Sequence, residues 1–221
     1  MTVHWGMPLY VHPAADPATW EWVGHTLKAP DFVVVNVSNG PGAPDDPYYG
    51  AALEALRACE VVGYVDAAYG RRPARAIRED AAAWRERYGV TAVMLDQLPS
   101  APVWERTVRA IVEALRADGV SRLIANPGAP LPEGLAAHFD LSAVFEGAWE
   151  EYARAPWPPH PASERLPTWH LVHDCPPEEQ ARALALAEQR GARFVFATER
   201  HLPNPYDAIP AALRLRDAGP D

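Results

Sequence analysis

The feature that most constrains this chain is a series of short apolar runs, each followed at once by an acidic or amide residue. Runs of four to six apolar, often β-branched residues are typical of strands that are buried on both faces. Five of these runs end at Asn36, Asp66, Asp96, Asn126 and Glu146. The repetition indicates parallel strands whose carboxyl ends share one rim, which is where parallel α/β folds keep their chemistry.

Candidate strands alternate with amphipathic segments along the whole chain. The predicted strands are Pro8–His12, Phe32–Asn36, Val61–Val65, Thr91–Leu95, Arg122–Ala125, Ala143–Glu146, Thr168–Val172 and Arg193–Ala197. The predicted helices are Tyr48–Cys59, Arg72–Tyr88, Trp104–Asp118, Pro177–Arg190 and Tyr206–Arg216. This order predicts a compact, single-domain (β/α)8 TIM barrel of the α/β class over residues 1–221. Because the chain is short for that fold, some helices should be stubs.

An open, doubly wound sheet is the alternative fold. Against it, no glycine-rich phosphate loop follows the first strand. The only similar glycines, Gly40 and Gly42, follow the second strand and flank Pro41, which would block a helix start of the dinucleotide-binding type. The (β/α)8 barrel is therefore favoured.

Composition limits the classes of partner. Apolar residues make up 48% of the chain, which argues against disorder, and the net charge is −9. Such a surface repels phosphate backbones, so we expect no nucleic-acid partner but tolerance of a neutral or cationic substrate. No run approaches the roughly 18 apolar residues of a membrane span, and no secretory signal opens the sequence. We expect a cytoplasmic protein, or a secreted one if a leader was removed.

No metal or cofactor is predicted. Cys59 and Cys175 lack the spacing of metal ligands, and two reduced thiols are the simpler interpretation, with a disulfide as the alternative. His170 and His173 lie three residues apart on a predicted strand and so point to opposite faces. The proline-rich stretch Ala153–Leu166 cannot form a long helix. It is either a loop covering substrate at the active rim or a solvated surface excursion.

Seven ordered motifs resemble those of the spherulin-4 (spherulation-specific family 4) proteins. They are PLYVHP near the start, FVVVNVSNGPG at Phe32–Gly42, VVGYVDAAYGRR at Val61–Arg72, VTAVMLDQLP around Asp96, NPG at Asn126–Gly128, the pair Phe145–Glu146, and NPYDAIP at Asn204–Pro210. The resemblance runs nearly end to end. It implies a (β/α)8 glycoside hydrolase that acts on galactosamine-containing polysaccharides, with acidic residues on strands four and six.

Those two strands end in Asp96 and Glu146. Glycosidic cleavage needs two carboxyl groups, one ionised and one able to donate a proton. The resemblance assigns Asp96 as the nucleophile or stabilising anion and Glu146 as the general acid/base. The separation of the carboxyl groups, which distinguishes retention from inversion, cannot be read from the sequence. The alternative role for either carboxylate is an ion pair, with Arg71 as the expected partner.

The chain departs from the family pattern at three positions. Gln97 stands where members often carry glutamate, Ala67 where threonine is usual, and His12 where an aromatic residue is commoner. An amide cannot exchange a proton as an acid or base, but it can bind substrate through hydrogen bonds. Because successive strand residues point to opposite sides, Asp96 and Gln97 can both face the mouth only if the strand bends.

Other rim residues suit sugar binding through ring stacking or hydrogen bonds to hydroxyl groups. The predicted substrate-binding residues are Tyr10, His12, Asn36, Asn39, Tyr64, Asp66, Tyr69, Arg71, Gln97, Asn126, Trp149 and His170. The predicted activity is hydrolysis of galactosamine- or N-acetylgalactosamine-containing saccharides. Two alternatives stay open: a noncatalytic barrel that binds a sugar or metabolite, and a cytoplasmic biosynthetic enzyme that uses the rim for a small sugar-like molecule. The oligomeric state is not predicted.

Overall fold

A computed structural model describes residues 3–25, 29–44, 46–56, 58–157, 166–211 and 213. Eight parallel strands form a closed barrel in sequence order. They are β1 (His4–Leu9), β2 (Phe32–Val35), β3 (Glu60–Asp66), β4 (Ala92–Asp96), β5 (Arg122–Asn126), β6 (Leu141–Ala148), β7 (Thr168–His173) and β8 (Phe194–Ala197). The pairing of β1 with β8 closes the sheet. The predicted (β/α)8 barrel is confirmed, and the open-sheet alternative is wrong.

The helices pack around the barrel. They are α1 (Pro17–His25), α2 (Tyr49–Ala55), α3 (Ala74–Tyr88), α4 (Glu105–Ala117), α5 (Glu133–Ala136), α6 (Trp149–Arg154) and α7 (Pro177–Gln189), with short 3-10 helices at Ala68–Gly70 and Pro102–Trp104. The expected stubs are α5 and α6, neither of which was predicted as a helix, and α1 was also missed. The apolar stripe of α4 is buried as its spacing requires, at Val108, Ile111, Val112 and Leu115.

Two predicted elements are misplaced. The first strand is not Pro8–His12, because β1 starts at His4 and ends at Leu9. After Leu9 the chain leaves the sheet, and the backbone N–H of Tyr10 donates to the carbonyl of Tyr206 at 2.8 Å. The predicted helix Tyr206–Arg216 does not begin at Tyr206, since residues 206–210 form a turn, a bend and irregular backbone. Residues 212 and 214–216 of that prediction lie outside the described part of the chain.

Aromatic rings fill the lower interior of the barrel. Phe32 on β2 lies edge-on to Trp169 on β7, with ring centroids 4.9 Å apart, and to Phe194 on β8 at 5.2 Å. Because β2 and β7 are not neighbouring strands, the contact between Phe32 and Trp169 crosses the barrel. All three rings are buried. Because Trp169 takes part in this contact, its side of β7 faces the barrel interior. This assignment decides the directions in which His170 and His173 point, since side chains alternate along a strand.

The structure bears on two sequence expectations, one about membrane-spanning helices and one about the state of the two thiols. Within the described residues, no helix combines the length and the apolar character needed to cross a membrane. Cys59 and Cys175 are both free thiols. Burial raises the pKa of Cys59 to about 11 and that of Cys175 to about 12, which keeps both protonated and unreactive near neutral pH.

Candidate active site

Three consecutive strands end in polar residues at one level of the barrel. Asp66, Asp96 and Asn126 are register partners at the carboxyl ends of β3, β4 and β5. Residues paired in this way on neighbouring strands point to the same side of the sheet. Glu146 follows on β6 and shares a hydrogen-bond donor with Asp96. The strand exits therefore bring Asp96 and Glu146 together at one mouth of the barrel.

A single amide nitrogen joins the two carboxylates. Asn126 Nδ2 donates to Asp96 Oδ1 at 2.6 Å and to Glu146 Oε2 at 2.7 Å. The amide orientation is fixed on its other side, where Asn126 Oδ1 accepts from the backbone N–H of Gly128 at 3.2 Å. Because both bonds meet at one atom, the two carboxylate oxygens are separated by no more than the two lengths combined, about 5.3 Å. Asn126 was predicted to bind substrate; here it links the pair.

Tyrosine hydroxyl groups occupy the remaining carboxylate oxygens. Tyr64 on β3 donates to Asp96 Oδ2 at 2.7 Å, and Tyr206 donates to Glu146 Oε1 at 2.6 Å. The ring of Tyr10 lies edge-on to both tyrosines, with centroids 5.7 Å from Tyr64 and 5.4 Å from Tyr206. Tyr206 was not among the predicted site residues, although it lies in the NPYDAIP motif that supported the family resemblance. These contacts hold both carboxylates in place.

Burial dominates the electrostatics of the pair. It raises the pKa of Asp96 to about 6, against hydrogen bonds from Tyr64 and Asn126 that lower it, while the charge of Glu146 raises it further. Burial and the neighbouring carboxylates also raise the pKa values of Tyr10, Tyr64 and Tyr206 well above their ordinary value. The tyrosines therefore stay protonated and act as donors. Asp96 becomes an anion only above about pH 6.

The carboxylates are not structural ion-pair partners. Across the described ranges, no arginine or lysine side chain bonds to Asp96 or Glu146. Arg71, the expected partner, instead donates from Nε to the Ala68 carbonyl at 3.1 Å and lies 5.9 Å from the ring centre of Tyr69. The ion-pair alternative is therefore wrong for these two residues, whose side-chain hydrogen bonds within the described ranges come from neutral groups.

Asn36, Asn39 and Asp66 make hydrogen bonds within and between the loops after β2 and β3. Asn36 Oδ1 accepts from the backbone N–H of Gly40 at 3.0 Å and so closes the turn after β2. Asn39 Nδ2 donates to Asp66 Oδ2 at 3.2 Å, while Asp66 Oδ1 accepts from the backbone N–H of Ala68 at 2.6 Å. Their predicted contact with substrate stays a prediction; the bonds present order the loops after β2 and β3.

The backbone bends sharply just after Asp96. Gln97 has a φ of 51°, in the left-handed region that non-glycine residues rarely adopt. Its carbonyl accepts from the backbone N–H of Tyr69 at 2.7 Å, and Tyr69 itself has a φ of 52°. The bend that two mouth-facing residues at positions 96 and 97 would require is therefore present. Tyr69 is 57% exposed, as a stacking surface would have to be.

His12 lies at the outer part of the rim. Its Nε2 is 3.0 Å from Asp46 Oδ2, and its ring lies edge-on to Tyr48 and Tyr49, with centroids 5.5 and 5.2 Å away. Tyr48 is exposed whereas Tyr49 is buried. The substitution of histidine for a commoner aromatic residue thus places a hydrogen-bonded ring between the loops that follow β1 and β2.

Two predicted substrate contacts face away from the mouth. His170 is fully buried, and its Nδ1 lies 2.7 Å from the hydroxyl of Tyr152 on α6. Trp149 is buried at the start of α6, and the guanidinium of Arg182 on α7 lies 5.5 Å from its ring centre. Both side chains belong to the layer between the outer barrel wall and α6 and α7. The prediction that they contact substrate is wrong.

The described part of the chain holds no group of three or more histidine, cysteine, aspartate or glutamate residues that could bind a metal ion. Independence of metal stays a prediction.

The proline-rich segment predicted as a possible cover for the site, Ala153–Leu166, begins inside α6. Its residues 158–165 lie outside the part of the chain that the structure describes.

Comparison with solved structures supports the barrel. Sph3 of Aspergillus clavatus, solved in complex with GalNAc, superimposes with a TM-score of 0.74 at 21% identity, covering 95% of this chain and 94% of that chain. Deoxyribose phosphate aldolase from Aeropyrum pernix gives a TM-score of 0.57 at 12% identity, covering 99% and 92%. At such identities these likenesses show a common fold.

The sequence comparisons are more specific. Spherulin-4 of Physarum polycephalum is 26% identical over 149 residues, which cover 64% of this chain and 44% of the relative. The chain therefore matches less than half of that relative's length. A sequence model described as spherulation-specific family 4 matches residues 6–215, nearly the whole chain. This protein belongs to spherulation-specific family 4.

Proposed function

We propose that this protein is a glycoside hydrolase that cleaves saccharides containing galactosamine or N-acetylgalactosamine, with Asp96 and Glu146 as its working pair. The observation that carries the proposal is the bridge from Asn126 Nδ2, which holds the two carboxylates close together at the barrel mouth. The family resemblance and the likeness to Sph3, a protein solved with GalNAc, support the class of sugar.

The separation of the carboxylates favours a retaining reaction. Retaining glycosidases place these groups about 5–5.5 Å apart, whereas inverting enzymes leave about 6.5–9.5 Å for a water molecule. The bridged oxygens, Asp96 Oδ1 and Glu146 Oε2, are at most about 5.3 Å apart, which is below the inverting range. A separation below the inverting range supports attack on the sugar by one of the carboxylates rather than by a water molecule held between them.

The roles given to the two residues are those that the family resemblance implies. Asp96 is half-buried, receives hydrogen bonds from Tyr64 and Asn126, and is ionised above about pH 6, as a nucleophile must be. Glu146 is exposed and can reach the leaving oxygen of a bound saccharide. In the first step Glu146 protonates that oxygen while Asp96 bonds to the anomeric carbon. In the second, Glu146 takes a proton from water, which displaces Asp96 with overall retention.

Near-isosteric substitutions test the pair. On N-acetylgalactosamine oligosaccharides, Asp96→Asn and Glu146→Gln should each lower kcat on the order of 10³-fold or more. The double variant should be hardly worse than either single variant, because residues that act as a unit are not additive. Glu150→Gln, which changes an exposed residue on α6, is the matched control and should retain full activity. NMR of the first-formed product should show the anomer of the substrate. Full activity in either single variant would refute the assignment.

A noncatalytic, sugar-binding barrel is the second candidate, and Gln97 is the observation that favours it. If position 97 must carry an acid, a chain with glutamine there binds saccharide without cleaving it. Gln97→Glu separates the two functions. It should leave turnover unchanged or raise it if the chain is a hydrolase. Wild-type binding without turnover would reject the hydrolase and support the binding protein, and turnover gained in Gln97→Glu would then show that the amide at position 97 prevents cleavage.

A further inference from the structure

Two histidines share one carboxylate at the end of β7. His173 Nδ1 lies 2.5 Å from Asp174 Oδ2, and His201 Nδ1 contacts Asp174 Oδ1. The backbone holds this arrangement, because Asp174 has a φ of 53° and its N–H donates to the Arg200 carbonyl at 2.9 Å. The hydrogen bonds from His201 and His173 lower the pKa of Asp174, which keeps it ionised. Both oxygens of this carboxylate are therefore occupied by ring nitrogens.

The shared carboxylate fixes the tautomer of His173. An ionised carboxylate only accepts hydrogen bonds, so the ring hydrogen must be on Nδ1. In the neutral ring, Nε2 then has a lone pair and accepts. No other hydrogen bond to His173 is present among the described residues. Yet His173 is only 8% exposed, so its imidazole is held in one orientation in a largely buried place.

His173 points into the barrel mouth. Trp169 faces the barrel interior, since it contacts Phe32 across the barrel, and side chains alternate along a strand. Leu171 and His173 therefore face inward as well. Leu171 is the register partner of Glu146 on β6, so His173 lies two residues beyond the level of that carboxylate, about 6.6 Å farther toward solvent. The neighbouring His170 has the opposite orientation and packs on α6.

This inference rests on the proposed glycoside hydrolase function. We propose that His173 is a specificity-determining substrate contact, whose Nε2 accepts a hydrogen bond from a hydroxyl or N–H group of the sugar ring bound beside Glu146. Asp174 is a positioning residue that holds the imidazole, and His201 braces Asp174 from the loop after β8. An acceptor held at this position can recognise a donor group on the saccharide beside the two carboxylates. This contact works in binding and not in the chemical step.

Paired substitutions separate this role from a structural one. On N-acetylgalactosamine oligosaccharides, His173→Leu removes the acceptor and should raise KM about 10- to 100-fold with kcat within about threefold of wild type. His173→Gln places an amide near Nε2 and should restore KM to within about fivefold. His25→Leu changes an exposed histidine on α1 and should alter neither constant. Circular dichroism checks that each variant folds. An unchanged KM in His173→Leu, or no recovery in His173→Gln, would overturn the proposal.

A binding measurement keeps this inference distinct from the hydrolase assignment. In Asp96→Asn, the imidazole ¹H–¹³C signal of His173, identified by its loss in His173→Gln, should shift as an N-acetylgalactosamine oligosaccharide saturates the site. That shift is expected even if wild type proves unable to cleave the saccharide, in which case only the hydrolase assignment fails. Saturable binding by calorimetry with an unmoved His173 signal would reject the contact, as would the absence of any oligosaccharide binding.

Discussion

The burial of His170 predicts that the folded protein loses stability as the pH falls. The side chain is fully buried between β7 and α6, with Nδ1 bonded to Tyr152 and, among the residues that the structure describes, no hydrogen-bond partner at Nε2. The Arg190 guanidinium lies 4.3 Å from the ring centre of Tyr152 and 4.7 Å from that of Trp157, whose ring is 4.6 Å from His170. Burial, and then the charge of Arg190, lower the pKa of His170 to about 3. The ring therefore stays neutral in the folded protein.

The magnitude follows from the difference between the folded and unfolded pKa values. An unfolded histidine takes up a proton below about pH 6.5, whereas His170 in the fold does so only near pH 3. The unfolded state thus binds more protons throughout that window, so stability falls as the pH falls. At about 1.4 kcal/mol per pH unit, the loss is about 2 kcal/mol at pH 5 and about 4 kcal/mol at pH 3, where the folded state begins to take up the proton. Above pH 7 both states are neutral and the effect vanishes.

His170→Asn isolates this contribution. Asparagine keeps an acceptor near Tyr152 but cannot take up a proton, so the variant should be less stable than wild type at pH 7.5 yet lose less stability on acidification. Urea unfolding followed by tryptophan fluorescence, at pH 7.5 and pH 5, should give a loss smaller by about 2 kcal/mol than in wild type.

His25→Asn, an exposed histidine on α1, serves as the control for that comparison and should match the wild-type pH dependence closely. The comparison of variants cancels the titration of other groups. An equal loss in wild type and His170→Asn would refute the claim that the folded protein excludes a proton from this ring.

Three further expectations concern the site and the core. The kcat/KM of the proposed hydrolase should fall about tenfold per pH unit below about pH 6, because Asp96 must be ionised, and a flat profile to pH 4.5 would contradict that role. Chelator should change neither activity nor melting temperature; recovery of a lost activity by a divalent ion would contradict the metal-free prediction. Gly63→Ala should destabilise by about 1–3 kcal/mol in urea, since its Cβ would meet the Trp84 ring at 2.5 Å, whereas Gly50→Ala, with open space, should not.

The rim could be predicted because it depends on local signals. Apolar runs mark buried strands, and the residue that follows each run lies at its carboxyl end whatever the helices do. Asp96 and Glu146 were reached in this way, before any distance was known. The length of the chain likewise predicted that some helices are stubs, which α5 and α6 are.

Side-chain direction could not be predicted in the same way. The sequence of β7, TWHLVH, has no polar alternation that would distinguish the inner face from the outer. In the structure all six of its residues are buried, on both faces of the sheet. That is why His170 was assigned to the mouth and His173 was passed over. Tyr206 was missed for a different reason: its contact with Glu146 joins residues 60 positions apart, and no local pattern reports such a contact. The role of Asn126 as a bridge also needed the distances.

The bend at Gln97 connects the family departure to the chemistry. Left-handed backbone at a non-glycine residue costs about 1–2 kcal/mol, and it persists only where surrounding structure enforces it. Here the backbone N–H of Tyr69 donates a hydrogen bond to the Gln97 carbonyl, and that of Ala67 donates to the Asp96 carbonyl. These two bonds anchor the end of β4 to the loop after β3 on both sides of the bend. The anchors are backbone groups and do not depend on the side chain at position 97. Gln97→Glu therefore changes the side chain at position 97 while leaving the backbone anchors of the bend in place, so its effect on turnover can be interpreted directly.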